Sequence, residues 1–557
     1  MVVSAMGHST DELIDLANRI TDRPPAREMD MLLSTGEQVS VALMAMAIHA
    51  LGSKAVSLTG AQIGIKTDAT HTKARIKSIS TRRMQELLDA GNIVIAAGFQ
   101  GIDEHYNITT LGRGGSDTTA VALAAVLKAA ACEIYTDVDG VYTTDPRLLP
   151  EARRVPRISY DEMLELASLG SGVMHNRSIE FGKKYGVAIH VRNSQSDAPG
   201  TMIVAEPESR DAAVCGAALT KDEARVSVLG VPDIPGTSFE IFSRIAGRNV
   251  TVDMIAQDVG EGGKADISFT VPKNELTVTL EAVQDSLQAL GGGSVVTDTN
   301  VAKVSVVGLG MARQTGIAEK MFRTLADQAI NIQMITTSEI KISALVGRDH
   351  AQQSLRAVHQ AFALETPPKS SHPDGTDPKA SAANTDAADV VTRLQGIDME
   401  ELFIDDIALD ESQARVTIRG VPDTPGVAAR VFEEVAAAGI FVDMIVQSYG
   451  GAEQASLSFT VPQARLQEAL AVANRTAQSL TCRGVTHAPR VAKLSVSGVG
   501  LRSHTGVAIR MFRALSEAGI NLELISTSEV RVNVLVDGAH GKQALTCLQQ
   551  AFSDVLR

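Results

Sequence analysis

The stretch TTLGRGGSDTTA at 109–120 sets Arg113 among Gly112, Gly114 and Gly115, with Ser116 and Asp117 directly after. The glycines let backbone N–H groups approach an oxyanion, and the N-terminus of the helix that follows adds positive potential there. Arg113 brings a planar donor fork suited to a carboxylate or phosphate. Three glycines also serve a plain tight turn. An arginine inside the turn, with Ser116 or Asp117 expected as helix cap, favours an anion site.

Three other groups carry weaker signals. STGE at 34–37 places Glu37 in the first turn of an expected helix, where offsetting the helix dipole is the plain role. YTDVDGVYTTDPR at 135–147 puts Thr136, Asp137 and Asp139 at the C-terminal end of a strand, where open α/β sheets bind ligands. Its Asp-Val-Asp-Gly run lacks the third acid and closing Glu of a calcium loop. His8, His71 and His175 have no partner at metal-ligand spacing and read as satisfied side chains, so no protein metal site is expected.

The elements that must position these groups are legible as two regions. Across 1–204, helical and strand patterns alternate: GEQVSVALMAMAIHALG as a helix, KAVSLT as a strand, TRRMQELLDAG as a helix, NIVIAAGF as a strand. A helix at SDTTAVALAAVLKAAA and the strand CEIYTDV follow. Strands apolar on both faces, alternating with helices, predict an α/β layered domain around a mostly parallel sheet. Beyond 212 the chain repeats itself. RVSVLGVPDIPG returns as RVTIRGVPDTPG, and Asp253 in VDMIAQ matches Asp443 in VDMIVQ at the same offset. INIQMITTSEI likewise returns as INLELISTSEV. Each large repeat divides into two βαββαβ pieces, giving units at 213–298, 299–365, 403–488 and 489–557. Asp233 and Asp423 stand in Asp-x-Pro-Gly turns that open a helix, an arrangement suited to a free amino acid's carboxylate. The Pro-, Ser- and Asp-rich run inside 366–402 reads as a flexible linker.

Composition bounds the rest. At 557 residues, with 44% hydrophobic content, no Trp and 3% aromatics, several cores must rest on Val, Ile, Leu, Ala and Met. A net charge of −14 argues against a nucleic-acid or anionic-membrane surface. Four scattered cysteines show no metal or disulfide framework, so reduced thiols in a cytoplasmic protein are expected. No apolar segment is expected to reach the ~20 residues of a membrane span.

Taken together, VVSAMGHSTDEL, STGEQVS, TLGRGGSDTTA, TDVDGVYTTDPR and the repeated regulatory pieces resemble aspartokinase, in order and over nearly the whole chain. The resemblance implies an amino-acid-kinase three-layer α/β/α domain followed by four ferredoxin-like ACT domains in two tandem pairs. It implies transfer of the ATP γ-phosphoryl to the β-carboxylate of L-aspartate, with Mg²⁺ held mainly through the phosphates. By the same resemblance Ser4, Thr10, Glu37, Arg113 and Asp117 would hold aspartate, with Arg113 and Asp117 central to catalysis. Gly114, Gly115, Ser116, Thr136, Asp137, Tyr142 and Arg147 would line the ATP side. Gln257 with Asn331, and Gln447 with Asn521, beside Asp233 and Asp423, would bind inhibitory lysine or threonine. ACT pairing across subunits would make a homodimer.

Two departures stand out. The family's opening strand, ending in a Lys-Phe-Gly-Gly-Thr-Ser type loop, has no counterpart in the sequence, which points to a misassigned or shortened start. Position 176 is Asn where the family often has Pro. The alternative reading is an impaired form that acts as an amino-acid-binding regulatory subunit.

Overall fold

The computed structural model describes residues 1–259, 262–368, 398–449, 454–501 and 506–556. In the first part, Val2–Val3 and Ala55–Leu58 flank Ile93–Ala97, all parallel, with Val3 beside Ala97 and Leu58 beside Ala96. A second sheet joins Cys132–Thr136 in parallel to Ile189–Asn193. Thr201–Val204 follows antiparallel, and Arg157–Ser159 then runs parallel to it. A third, four-stranded sheet holds Ile76–Ile79 at its edge. The expected parallel layers are therefore present, but divided among three sheets and mixed with antiparallel pairs.

The helix Gly115–Val126 is apolar almost all round, and Val121, Ala122 and Leu123 are buried. It packs on both Val2–Val3 and Cys132–Thr136, so a helix with no polar face is buried between layers. Ala26–Ala50 runs for 25 residues, starting after Pro25 rather than at Gly36; proline pre-sets the entry angle. Contrary to expectation, this one helix is long and apolar enough to cross a membrane by length and composition. It also buries Asp30, Ser34 and Glu37, polar groups that face the rest of the domain.

The repeats form one 12-stranded sheet in which single strands serve two units. Gly216–Pro232 is 17 residues long: Gly216–Thr220 pairs with Lys303–Val307, and Glu223–Pro232 pairs with Lys264–Pro272. Phe403–Pro422, 20 residues long, is divided in the same way between the third and fourth units. This corrects the continuous boundaries expected at 213–298 and 403–488. The last strand of the second and fourth units comes from upstream, because the chain lays it down before entering the first and third.

Inward positions alternate along the strands, as with Val226 and Val228 at 0% exposure, and the helices cover them. Phe242 of unit 1 lies against Phe512 of unit 4, ring centroids 6.0 Å apart. The corresponding pair in the other halves of the repeats, Phe322 of unit 2 and Phe432 of unit 3, stands at 5.5 Å. Strand Ile332–Thr337 of unit 2 pairs with Ile445–Tyr449 of unit 3, Ile335 opposite Gln447. Met254, Val301, Met334, Met444, Val491 and Leu524, drawn from all four units, share one buried cluster. The pairing expected across subunits is made within a single chain, unit 1 with unit 4 and unit 2 with unit 3.

Candidate active site and effector sites

The candidate catalytic groups gather at the C-terminal ends of the first parallel sheet. Ser4 follows the strand Val2–Val3, and Thr10 lies in the first turn of the helix Ser9–Asn18. The Ala5 N–H donates to Glu37 Oε1 at 3.0 Å, and Oε2 of the same carboxylate has no hydrogen-bond partner among the described residues. Glu37 is 4% exposed, and burial pushes its carboxyl up, partly offset by the Ala5 bond. It lies deep within its helix, not in a first turn, so it does not offset the helix dipole. A half-satisfied buried carboxylate is suited to an ammonium group.

Gly98, just past Ile93–Ala97, meets the Gly-rich loop. A Cβ there would come within 2.6 Å of Ser116 Oγ. Phe99 takes the left-handed backbone (φ 67°), a strained choice for an aromatic residue, and its N–H donates to Thr119 Oγ1 at 3.2 Å. At the expected cap stands Gly114 with φ 69° and no side-chain cap bond, so neither Ser116 nor Asp117 caps the helix. Both occupy its first turn with the backbone N–H groups free of any capping side chain. Gly114 cannot be replaced, since a Cβ would lie 2.2 Å from His175 Cβ. Arg113 is exposed at the loop tip. Burial pushes the Asp117 carboxyl up to about 6, and the Cys132 thiol beside it up to about 12, through burial first and the Asp117 charge second.

Two supporting residues lie outside the candidate set. Asp30, 0% exposed, accepts from Thr110 Oγ1 at 2.6 Å and the Thr72 N–H at 3.0 Å, and pairs with His71 Nδ1 at 2.7 Å. His175 accepts the Arg177 N–H as a helix cap and packs on Gly114; burial, then Arg177 and Arg113, lower its pKa. An acid in the apolar run MDMLL was the available clue to Asp30. On the side expected to face the nucleotide, Thr136 Oγ1 donates to Asp137 Oδ1 at 3.1 Å, while Arg147 forks onto Asp145 at 2.8 Å. Tyr142 forms a backbone bridge with Arg154. Asp139 accepts from Asn193 at 2.7 Å and Ser196 at 2.9 Å, fastening the neighbouring loop. Among the described residues no three His, Cys, Asp or Glu side chains converge as a metal site.

In the regulatory region the candidate residues pair differently from the expectation. Asn521 Nδ2 donates to Asp233 Oδ1 at 2.7 Å, and Gln257 Nε2 to the Leu522 carbonyl at 2.6 Å. The counterpart has Asn331 Nδ2 on Asp423 Oδ1 at 2.7 Å and Gln447 Nε2 on the Ile332 carbonyl at 2.9 Å. Gln257 therefore belongs with Asn521, and Gln447 with Asn331, because unit 1 sits beside unit 4 and unit 2 beside unit 3. Two further cavities lie at the opposite end of these interfaces. One, roughly 340 Å³, has Gly316, Glu339 and Asp443 in its wall. Its counterpart, about 110 Å³, has Asp253, Ala508 and Glu529.

An α/β domain with a glycine-cradled helix N-terminus at its strand ends, followed by paired βαββ units, defines an amino acid kinase with ACT regulatory domains. The amino acid kinase family matches residues 1–193, and the ACT domain matches 304–362, 416–476 and 494–552. The aspartokinase of Pseudomonas aeruginosa is 50% identical over 370 residues, covering 66% of this chain and 90% of that protein. That of Thermus thermophilus is 48% identical over 367 residues, with the same coverage of 66% and 90%. The aspartate kinase structure from Synechocystis aligns over 99% of this chain and 92% of its own, at 41% identity and TM-score 0.55. E. coli aspartokinase III, in complex with aspartate and ADP, aligns over 63% and 79% at 25% identity and TM-score 0.52. The chain belongs to the aspartokinase family.

Proposed function

We propose that this chain is a feedback-regulated aspartokinase that moves the γ-phosphoryl of ATP to the β-carboxylate of L-aspartate, giving 4-phospho-L-aspartate. This is the first step toward lysine, threonine and methionine. The observation that carries the reading is the meeting of Glu37, with its unpartnered Oε2, and the Arg113–Asp117 loop at the same strand ends. Glu37 and Asp117 receive the substrate ammonium; Arg113 takes a carboxylate; Ser4 and Thr10 supply hydroxyls. The acceptor carboxylate is already ionised at neutral pH, so no general base is required, and positioning with charge neutralisation does the work.

Gly114 and Ser116 present N–H groups to the transferring phosphoryl, while the Gly115 N–H closes the turn onto the Gly112 carbonyl at 3.0 Å; Thr136, Asp137, Tyr142 and Arg147 lie on the nucleotide side. Mg²⁺ fits as a phosphate-held ion, offsetting phosphate charge when bound, since no acidic cluster competes for it among the described residues. The Asn–Asp–Gln clusters are the proposed sites for lysine or threonine. Since this chain supplies both members of each pair, the proposed homodimer forms outside the paired sheet. The cytoplasm is the proposed compartment, in keeping with four free thiols. Aspartate-dependent ADP release, with the acyl phosphate trapped by hydroxylamine, tests the reading. Amino-acid binding without ADP release would leave only a regulatory subunit.

A further inference from the structure

Residues 398–402 lie at the entrance to unit 3, at the end of the expected linker, yet they bind the kinase domain. The Met399 N–H donates to the Lys77 carbonyl at 2.9 Å and the Glu400 N–H to the Ile76 carbonyl at 3.2 Å, along the edge strand Ile76–Ile79. Met399 is 2% exposed within the kinase core. Lys184 Nζ donates to the Met399 and Glu401 carbonyls, both at 3.0 Å, and the Tyr185 hydroxyl donates to Met399 at 2.9 Å. This part of the expected linker is built into the kinase domain.

Glu400 has a more specific partner. Its carboxylate accepts the Ile76 N–H at 2.9 Å and holds the Arg177 guanidinium at 2.7 and 2.8 Å. The same guanidinium donates to the Ala74 carbonyl at 2.9 Å and to the Leu111 carbonyl. Leu111 is the residue before Gly112, where the anion loop begins. The pair is 15% and 9% exposed, so water and salt screen it little. Both Glu400 oxygens and the Ala74 carbonyl lie on Nη2, so that end of the guanidinium is anchored, and Nη1 is the nitrogen that donates to Leu111 at the loop.

We infer that Glu400 is a positioning residue for phosphoryl transfer: through Arg177 it fixes the start of the loop that carries Arg113 and Asp117. The inference rests on the reading that this loop holds the acceptor amino acid. Because Glu400 stands just before the strand Phe403–Pro422, it also ties that loop to the entry of the second regulatory pair.

Steady-state kinetics on the full chain test it, comparing Glu400→Gln with Lys184→Ala, which loosens the same segment without touching Arg177. Glu400→Gln is expected to raise the aspartate KM by about tenfold while the ATP KM moves less than about twofold. Lys184→Ala is expected to leave the aspartate KM within about twofold at a similar thermal midpoint. If both variants lose activity in proportion to stability, or Glu400→Gln keeps the wild-type aspartate KM, the positioning role is overturned while the kinase reading stands. A wild-type chain that releases no ADP with aspartate overturns that reading, and this inference with it.

Discussion

Lys341 and Arg531 occupy equivalent positions in the two large repeats, and they meet opposite surroundings. Lys341 pairs at 2.9 Å with Glu165 of the kinase domain, the side chains 5% and 0% exposed. Arg531 pairs with Glu339 of unit 2, at 39% and 29%. The acids differ in the same sense. Glu529, the counterpart of Glu339, is 2% exposed; its N–H donates to Glu165 at 2.8 Å and its carboxylate accepts from Asn176 at 2.8 Å. Burial pushes the Glu165 carboxyl up, opposed by Lys341. Burial alone would lower the Lys341 pKa, but Glu165, Asp253 and Glu529 together hold it well above the ordinary lysine value. A doubled regulatory region meets a single kinase domain, so two matching turns cannot make the same contact. One cavity wall is joined to the kinase domain through Glu529, the other to the regulatory sheet through Glu339.

The largest test of this contrast is Lys341→Met, which leaves Glu165 buried beside Glu529 without its cation. A loss of about 3–5 kcal/mol is expected in urea unfolding. The contrast extends to another buried acid, Asp117, whose pKa is raised by burial with no lysine to oppose it. Its folded value of about 6 lies above the ordinary 3.8, so the folded state binds the proton more tightly than the unfolded chain does. Its contribution to stability therefore falls as the pH rises from about 4 to about 6. Ammonium binding needs the ionised form. The aspartate KM should fall by up to about tenfold per pH unit up to about pH 6 and level off above about pH 7, and Asp117→Asn should abolish the inflection with a loss of about 10²–10³ in kcat/KM.

Smaller effects separate the two effector clusters. Asn521→Ala and Asn331→Ala should each weaken one amino-acid response by about tenfold and spare the other, read as separate shifts in inhibition curves with lysine and threonine. Smallest is Arg531→Met, expected to cost less than about 1 kcal/mol in the same urea experiment, since the pair is only half-buried and water screens it. A cost equal to that of Lys341→Met would erase the distinction between the turns.

The repeats make the architecture legible in the sequence and the short motifs point to a candidate site, whereas non-local information is not legible there. The repeat shows that Gln257 matches Gln447, but not that Gln257 faces Leu522 instead of unit 2. Packing of one unit on another depends on whole helix faces such as those of Phe242 and Phe512, which the motif does not contain. Ser-Thr-Gly reads as a helix start and so puts Glu37 in a first turn, but Pro25 sets the start well upstream. Glu400 is hidden by composition: one of three acids in DMEE, beside a polar run, gives no hint of an arginine 223 positions away. Most of the expected linker, 369–397, lies outside the described residues.

The long strands Gly216–Pro232 and Phe403–Pro422 limit what can be cut or exchanged. A break between neighbouring units severs a ladder and bares backbone donors and acceptors that only the other half can satisfy. Unit 1 cannot be excised while unit 2 keeps its last strand in register, and the same holds for units 3 and 4. The smallest stretch of chain that keeps each of these long strands whole is thus a pair of consecutive units, so the regulatory region is built in steps of two.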